Sequence, residues 1–251
     1  MINLLRTTSS ANYSKEFVSN AFKRIGKLGT IVSIYWPQLR NEQFPHLIVR
    51  ASAYNSNKEV ITKIEGLKYP PLEFNKNYQR ASTPDDSMFY CTLNKGLDFT
   101  NLQPQLETCF RETFSDYIKL IAKNNSICFS LWKIKQPIRL LTVFKVNDFN
   151  KDLDAYKEIR DAYQKGNYNT DDTLRSITNE FSDLLADKFS IPVDENTIDY
   201  KSSGLINQHM IKTYNYMHEE IDGIVFKSTK SPSSDFNLTI LPDSCIQNYN
   251  V

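Results

Sequence analysis

Segments of strand character come in clusters along this chain and do not alternate with helical stripes, and that order limits the fold more than any single motif. HLIVRASAY, from His46, and SMFYCTL, from Ser87 to Leu93, precede one helical segment. SICFSLWKI and IRLLTVFKV then follow each other around Pro137, and DGIVFKS and FNLTILP come near the end. A doubly wound sheet needs a helix after almost every strand, so this order favours an α+β fold. The two runs flanking Pro137 are expected to be adjacent antiparallel strands.

Helical periodicity fills the intervals. Ser14 is placed to cap a helix reaching Leu28, with Phe17, Val18, Ala21, Phe22 and Ile25 on one stripe. PQLETCFRETFSDYIKLIA opens with Pro104, a residue that suits the first turn of a helix. Further helices are expected from about Lys151 to Gln164, from Asp171-Asp172 through Phe189, and from about Ser202 to Tyr216. Acidic residues at the start of the second of these face the positive end of the helix dipole. With no repeat or low-complexity linker, the reading is one compact domain over 46–251 preceded by a helical extension over 1–45. That extension is expected to pack onto the domain or onto a second copy, which leaves a homo-oligomer open.

Composition removes several classes of function. The formal net charge is +1, which gives no overall bias towards nucleic acid or anionic membrane. Cys91, Cys109, Cys128 and Cys245 form no Cys-x-x-Cys pair and read as reduced thiols, not as a disulfide framework or zinc site. The opening MINLLRTTSSANYSKEF lacks the apolar core of a signal peptide, and no run is long enough to span a bilayer; the expected location is the cytoplasm. There is no Gly-rich phosphate loop, His-Glu-x-x-His or nucleophile elbow. Three dispersed histidines, His46, His209 and His218, do not suggest a metal centre.

What remains is a set of polar residues at strand and helix edges. Arg50 ends an apolar strand. Arg80 lies in NYQRASTPDDSMFY, ten residues before Tyr90, which itself sits inside an apolar strand. Glu107 follows at a helix start, and Ser203 at another. Each also has an architectural reading: a snorkelling stem for Arg50, a cation–π pair for Arg80 with Tyr90, a carboxylate at the helix dipole for Glu107, a cap for Ser203, and a core position for Tyr200.

The order of these pieces resembles the RES-domain family. The residues that carry the resemblance are the Arg50-Ala51-Ser52 strand, the Pro70-Pro71 pair, and Arg80 with its turn into Phe89-Tyr90. They continue with Leu106-Glu107, Tyr200-x-x-Ser203-x-x-Ile206, Asp222 to Ser228, and Asn237 to Pro242. The match runs from about His46 to Ser244. It implies an ADP-ribosyltransferase-like split antiparallel β-sheet core flanked by helices. It also implies a toxin that depletes NAD⁺ by cleaving the nicotinamide–ribose bond, with NAD⁺ as substrate and no separate cofactor or metal. A helix-turn-helix antitoxin is the implied protein partner.

The chemistry suits those residues. Arg50 and Arg80 offer forks for the pyrophosphate, Tyr90 a flat surface for nicotinamide, and Ser203 a hydroxyl near a helix N-terminus. The leaving nicotinamide is already cationic in the substrate, so the remaining need is a carboxylate to stabilise positive charge on the ribose. Glu107 is chosen for its leucine–glutamate context. Glu112 is the competitor; five helical steps turn it by roughly 140° from Glu107, so the two cannot face one pocket. Hydrolysis or phosphorolysis is the first expectation, ADP-ribosyl transfer to a macromolecule the second, and a non-catalytic RES-like interaction module the third.

Overall fold

A computed structural model describes residues 1–25, 33–36, 46–55, 61, 63–93, 102–114, 125–134, 137–145, 159–164, 171–191, 197–217, 220–230 and 236–244. The chain is a mixed α+β protein built on one seven-stranded sheet. Its strands are β1 (Ser33–Trp36), β2 (His46–Asn55), β3 (Phe89–Leu93), β4 (Asn125–Ile134), β5 (Ile138–Val143), β6 (Gly223–Lys227) and β7 (Phe236–Ile240). They run in the order β1-β5-β6-β7-β3-β2-β4. Only β5 and β6 are parallel; every other pair is antiparallel.

The runs flanking Pro137 form strands, but they do not pair with each other. β4 borders β2 at one end of the order, while β5 lies between β1 and β6 near the other. A tight hairpin wants residues that accept positive φ, and Lys135-Gln136-Pro137 supplies none. Yet the span from Ile134 to Ile138 is at most about 15 Å, since consecutive Cα atoms lie 3.8 Å apart. Strands so far apart in the order can lie this close only if the sheet curls over on itself. The core agrees: Trp132 and Ile134 of β4 share one apolar cluster with Ile138 and Leu140 of β5, and with Phe89, Val225, Phe236 and Leu238. β4 and β5 therefore face each other inside the fold of the sheet, its arch side.

The other face of the sheet carries the helices. These are α1 (Ile2–Thr7), α2 (Lys15–Ile25), α3 (Gln103–Thr113), α4 (Asp172–Phe189) and α5 (Lys201–Tyr216); the helical residues 159–164 lie instead on the first face, where Ile159 and Tyr163 join the cluster of Trp132 and Leu140. Alternation along the strands divides the two cores: Leu141, Val143, Ile224 and Phe226 pack with the helices, while Leu140 and Val225 point to the arch side. Two of the expected helix starts are observed with their caps. Ser14 Oγ accepts from Phe17 N at 3.0 Å, and Asp171 accepts from Thr173 N and Leu174 N. α3 stops at Thr113, where Phe114 turns to extended backbone, short of the expected end near Ala122. Residues 115–122 lie outside the described residues, as do 26–28 and 151–158, where two other expected helices were to begin or end.

The first 25 residues belong to the helical core. Leu5, Tyr13, Val18, Ala21 and Ile25 are buried with Phe181, Leu184, Leu205 and Met210. Lys188 holds them down by donating to the carbonyls of Arg6 (3.3 Å) and Thr8 (3.5 Å). β1, also before residue 46, pairs with β5. Among the described residues no helix is long and apolar enough to cross a membrane.

Candidate functional site

The sheet nearly parts between β2 and β3. Those strands are joined by two residue pairs, Ile48 with Leu93 and Val49 with Thr92, whereas β2 and β4 pair over ten. Beyond Val49 the strands splay, and a cavity of about 500 Å³ opens beside the gap, within the range of small-molecule sites. Its walls are Arg50–Ala53 of β2, Tyr90–Thr92 of β3, the inner side of α3, the segment from Glu65 to Pro71, and Gln79-Arg80, with Tyr200, Phe226 and Asn237 closing it.

Arg80 is 5 % exposed. Its guanidinium donates to the Phe189 carbonyl at the C-terminal end of α4, to Tyr200 Oη at 3.4 Å and to Thr229 Oγ1 at 3.3 Å. It also lies 5.0 Å from the centroid of the Tyr200 ring. All these partners are neutral, and no carboxylate pairs with Arg80 among the described residues. The end of a helix dipole and a ring face stabilise a cation only in part. A buried guanidinium with no counter-ion on a cavity wall therefore favours an anionic ligand.

The turn carrying Arg80 is held by α5. Gly204 makes the approach possible, since a Cβ there would stand 2.7 Å from the Ser82 carbonyl oxygen. Asn207 Nδ2 donates to Ala81 O at 2.7 Å, and Gln208 Nε2 to Asp86. On the other side, Asn75 Nδ2 donates to the carbonyls of Thr83 (2.7 Å) and Asp86 (2.6 Å). Tyr90 completes the clamp: its hydroxyl accepts from Ala81 N at 2.8 Å and bonds Ser82 Oγ at 3.3 Å. Burial pushes that phenol up to about 12 despite these bonds and the nearby Arg80. Tyr90 lines the cavity with its hydroxyl already committed to the turn.

Arg50 crosses the splay. Its Nη1 donates to Tyr90 O at 2.9 Å, and its guanidinium lies 5.0 Å from the Phe89 ring centroid. The cation–π pairs are thus Arg50 with Phe89 and Arg80 with Tyr200, not Arg80 with Tyr90.

The two carboxylates of α3 part as the helical angle requires, with the opposite outcome to the one expected. Glu107 is exposed and bound to Arg111 one turn on, at 2.7 and 3.0 Å; it lies outside the cavity lining. Glu112 lines the cavity. Ser228 Oγ donates to its Oε1 at 2.6 Å and Asn237 Nδ2 to the same oxygen at 2.7 Å, and no donor reaches Oε2 among the described residues. Of the two carboxylates, Glu112 and not the expected Glu107 is the one placed at the cavity. The loop between Tyr90 and α3, which obscured the helix phase, lies mostly outside the described residues.

Ser203 also moves. It is fully buried in the first turn of α5 and donates to Tyr200 O at 3.2 Å, away from the cavity lining. The serine that meets a cavity carboxylate is Ser228. Tyr200, read from sequence as core, lines the cavity beneath Arg80. Ser228 and Asn237 had been given no role, although an asparagine inside the apolar run FNLTI is a signal: Asn237 is 6 % exposed, on the face opposite Phe236 and Leu238.

Cys109 forms part of the wall near the pinch. Its thiol bonds Val49 O at 3.2 Å and Thr92 Oγ1 at 3.1 Å, and burial pushes it up to about 11. Cys91, Cys109 and Cys128 are free thiols; Cys245 is outside the described residues. No histidine lines the cavity, and no metal-holding cluster occurs among the described residues. His209 packs against Phe22 with centroids 4.7 Å apart, where burial and Lys23 lower its pKa. The site therefore has to be read from its own geometry: no protein-family model matches the chain, and no curated protein matches it.

Proposed function

We propose that the chain is an intracellular NAD⁺ glycohydrolase of the RES type, with an ADP-ribosyltransferase-like fold and the substrate bound in the cavity beside the sheet's splay. The observation that carries this reading is Arg80, a buried cation on the cavity wall with neutral partners only. With Arg50 it offers two guanidiniums to a pyrophosphate, the anion for which paired forks are best suited. Lys68 and Glu65 add one charge of each sign to the wall.

The chemistry asks little of the protein. The electron pair of the glycosidic bond leaves with the pyridinium nitrogen, giving neutral nicotinamide, and positive charge develops on the ribose. Water adds at the anomeric carbon and releases a proton; phosphate takes the same position in phosphorolysis. Glu112 supplies the negative charge that this transition state needs. Ser228 and Asn237 occupy its Oε1, leaving Oε2 for ribose or water. Arg80 and Arg50 bind and orient, and Tyr90, Tyr200 and Phe226 offer ring surface to the two bases. The same reading keeps a helix-turn-helix antitoxin as partner. Leu72 and Phe74, 54 % and 69 % exposed just after the Pro70-Pro71 wall, are apolar surface that a covering protein would bury.

The test is incubation of the purified chain with NAD⁺, with and without inorganic phosphate, and chromatography of the products. Free nicotinamide with ADP-ribose, or its phosphorylated form, is expected. Glu112→Gln should lower turnover on the order of 100-fold or more, in line with loss of a transition-state charge partner. Label from NAD⁺ appearing on protein would mean transfer instead, and binding without turnover would mean a non-catalytic module.

A further inference from the structure

Beyond Val49, β2 keeps a single neighbour. Arg50–Asn55 pair with Asn125–Ser130 of β4, and β3 has already turned away. This part of the sheet is a two-stranded ribbon, an arrangement that is marginal in water without further strands or packing. One edge of the ribbon faces the cavity. The other edge, along β4, carries no ladder among the described residues. Edge strands are normally guarded by charge, proline, glycine or a bulge. In β4 the one such residue is Lys133, next to its end; Asn125 to Trp132 contains none, and its register with β2 is unbroken.

The exposed face of this strand is apolar as far as Leu131 and ends on Lys133. Phe129 is 39 % and Leu131 49 % exposed, and Ile127 lies on the same face by alternation. We propose that β4 pairs antiparallel with β4 of a second copy of this chain, about a two-fold axis at Phe129, making a continuous four-stranded sheet β2-β4-β4-β2. The pattern selects this occupant because it is complementary to itself. Centring on Phe129 sets Phe129 against its own copy and Leu131 against Ile127, and gives Lys133 an uncharged Asn125. Shifting the axis to Leu131 would set Lys133 against Phe129. A two-fold axis requires one patch to meet itself, and opposed aromatic and aliphatic side chains are the pairs that stabilise sheets. Each ribbon then becomes an inner part of a larger sheet, with Arg50 on its cavity edge.

Sedimentation of the full chain across micromolar to hundred-micromolar concentrations tests this. The wild type should sediment as a dimer. Phe129→Lys and Phe129→Glu should each sediment as monomers, because the axis places like charges opposite each other, and an equimolar mixture of the two should regain the dimer. That recovery also shows that both variants fold. In a Cys128→Ser background, Phe129→Cys should form an intermolecular disulfide on mild oxidation, whereas Lys133→Cys, far from its own copy in this register, should not. A wild type that stays monomeric, a dimer that survives Phe129→Lys, or equal cross-linking at both positions would overturn the proposal. So would slow amide exchange over 126–132 in a monomer, which would mean that another part of the same chain covers the edge.

Discussion

The two walls of the cavity are held in opposite ways. The wall that carries Arg80 is a short irregular turn, yet α5, Asn75 and Tyr90 hold three of its carbonyls and the Ala81 amide. The wall that carries Arg50 is regular strand, yet past Val49 it is supported from one side only. Regular secondary structure is therefore not what supports a wall here. What differs between the walls is the number of neighbours that satisfy the backbone, and a buried unpaired peptide group is costly.

The largest effect should come from breaking the turn wall at its closest approach. Gly204→Val drives a branched side chain into the Ser82 and Gln79 carbonyls, 2.7 and 3.1 Å from the new Cβ. We expect destabilisation on the order of 3 kcal/mol, as in overpacked cores, readable by chemical denaturation, with loss of ligand binding through displacement of Arg80.

A smaller effect tests the pinch between the walls. The Cys109 thiol is raised from 9.0 to about 11 by burial, so above about pH 9 the unfolded chain gives up this proton first. Stability credited to the protonated thiol is complete below that pH and is lost as pH rises towards 11, by roughly 2 kcal/mol in all. Cys109→Ala should flatten this alkaline slope when denaturant midpoints are compared from pH 8 to 11. An unchanged slope would remove Cys109 as its source.

The smallest effect is expected on the outer side of α3. Glu107→Gln removes an exposed i,i+4 pair with Arg111, worth no more than about 0.5 kcal/mol. NAD⁺ turnover should stay at the wild-type level. Loss of turnover there would return the carboxylate role to Glu107 and sink the placement argument for Glu112.

The elements were largely legible in the sequence because each rests on local pattern. The stripe of α4, the caps at Ser14 and Asp171, and the closing strands β6 and β7 all follow from periodicity and end signals. The partnership of β4 with β5 was misread because adjacency in sequence stands in for pairing only when the connection can make a tight turn, and Lys135-Gln136-Pro137 offers no residue suited to one. Arg50, Arg80 and Tyr90, singled out in the sequence, line one cavity. Glu107 and Ser203 do not, since helix phase after an irregular loop cannot be fixed without a fold. Tyr200, Ser228 and Asn237 reach the cavity from separate elements, and no local signal links them.

The ladders that build the cavity have a further consequence for how the chain acquires its structure. β2 finds β4 across about 70 residues of chain, from Asn55 to Asn125, and β3 finds β7 across about 140, from Leu93 to Phe236. Contacts of such separation must be closed against loop entropy before they contribute anything, and proteins dominated by them fold in milliseconds to seconds. Until β7 arrives, β3 has neither its long ladder nor the Asn237 that holds Glu112. A chain interrupted before residue 236 therefore carries its arginines without the Asn237 contact that supports the carboxylate.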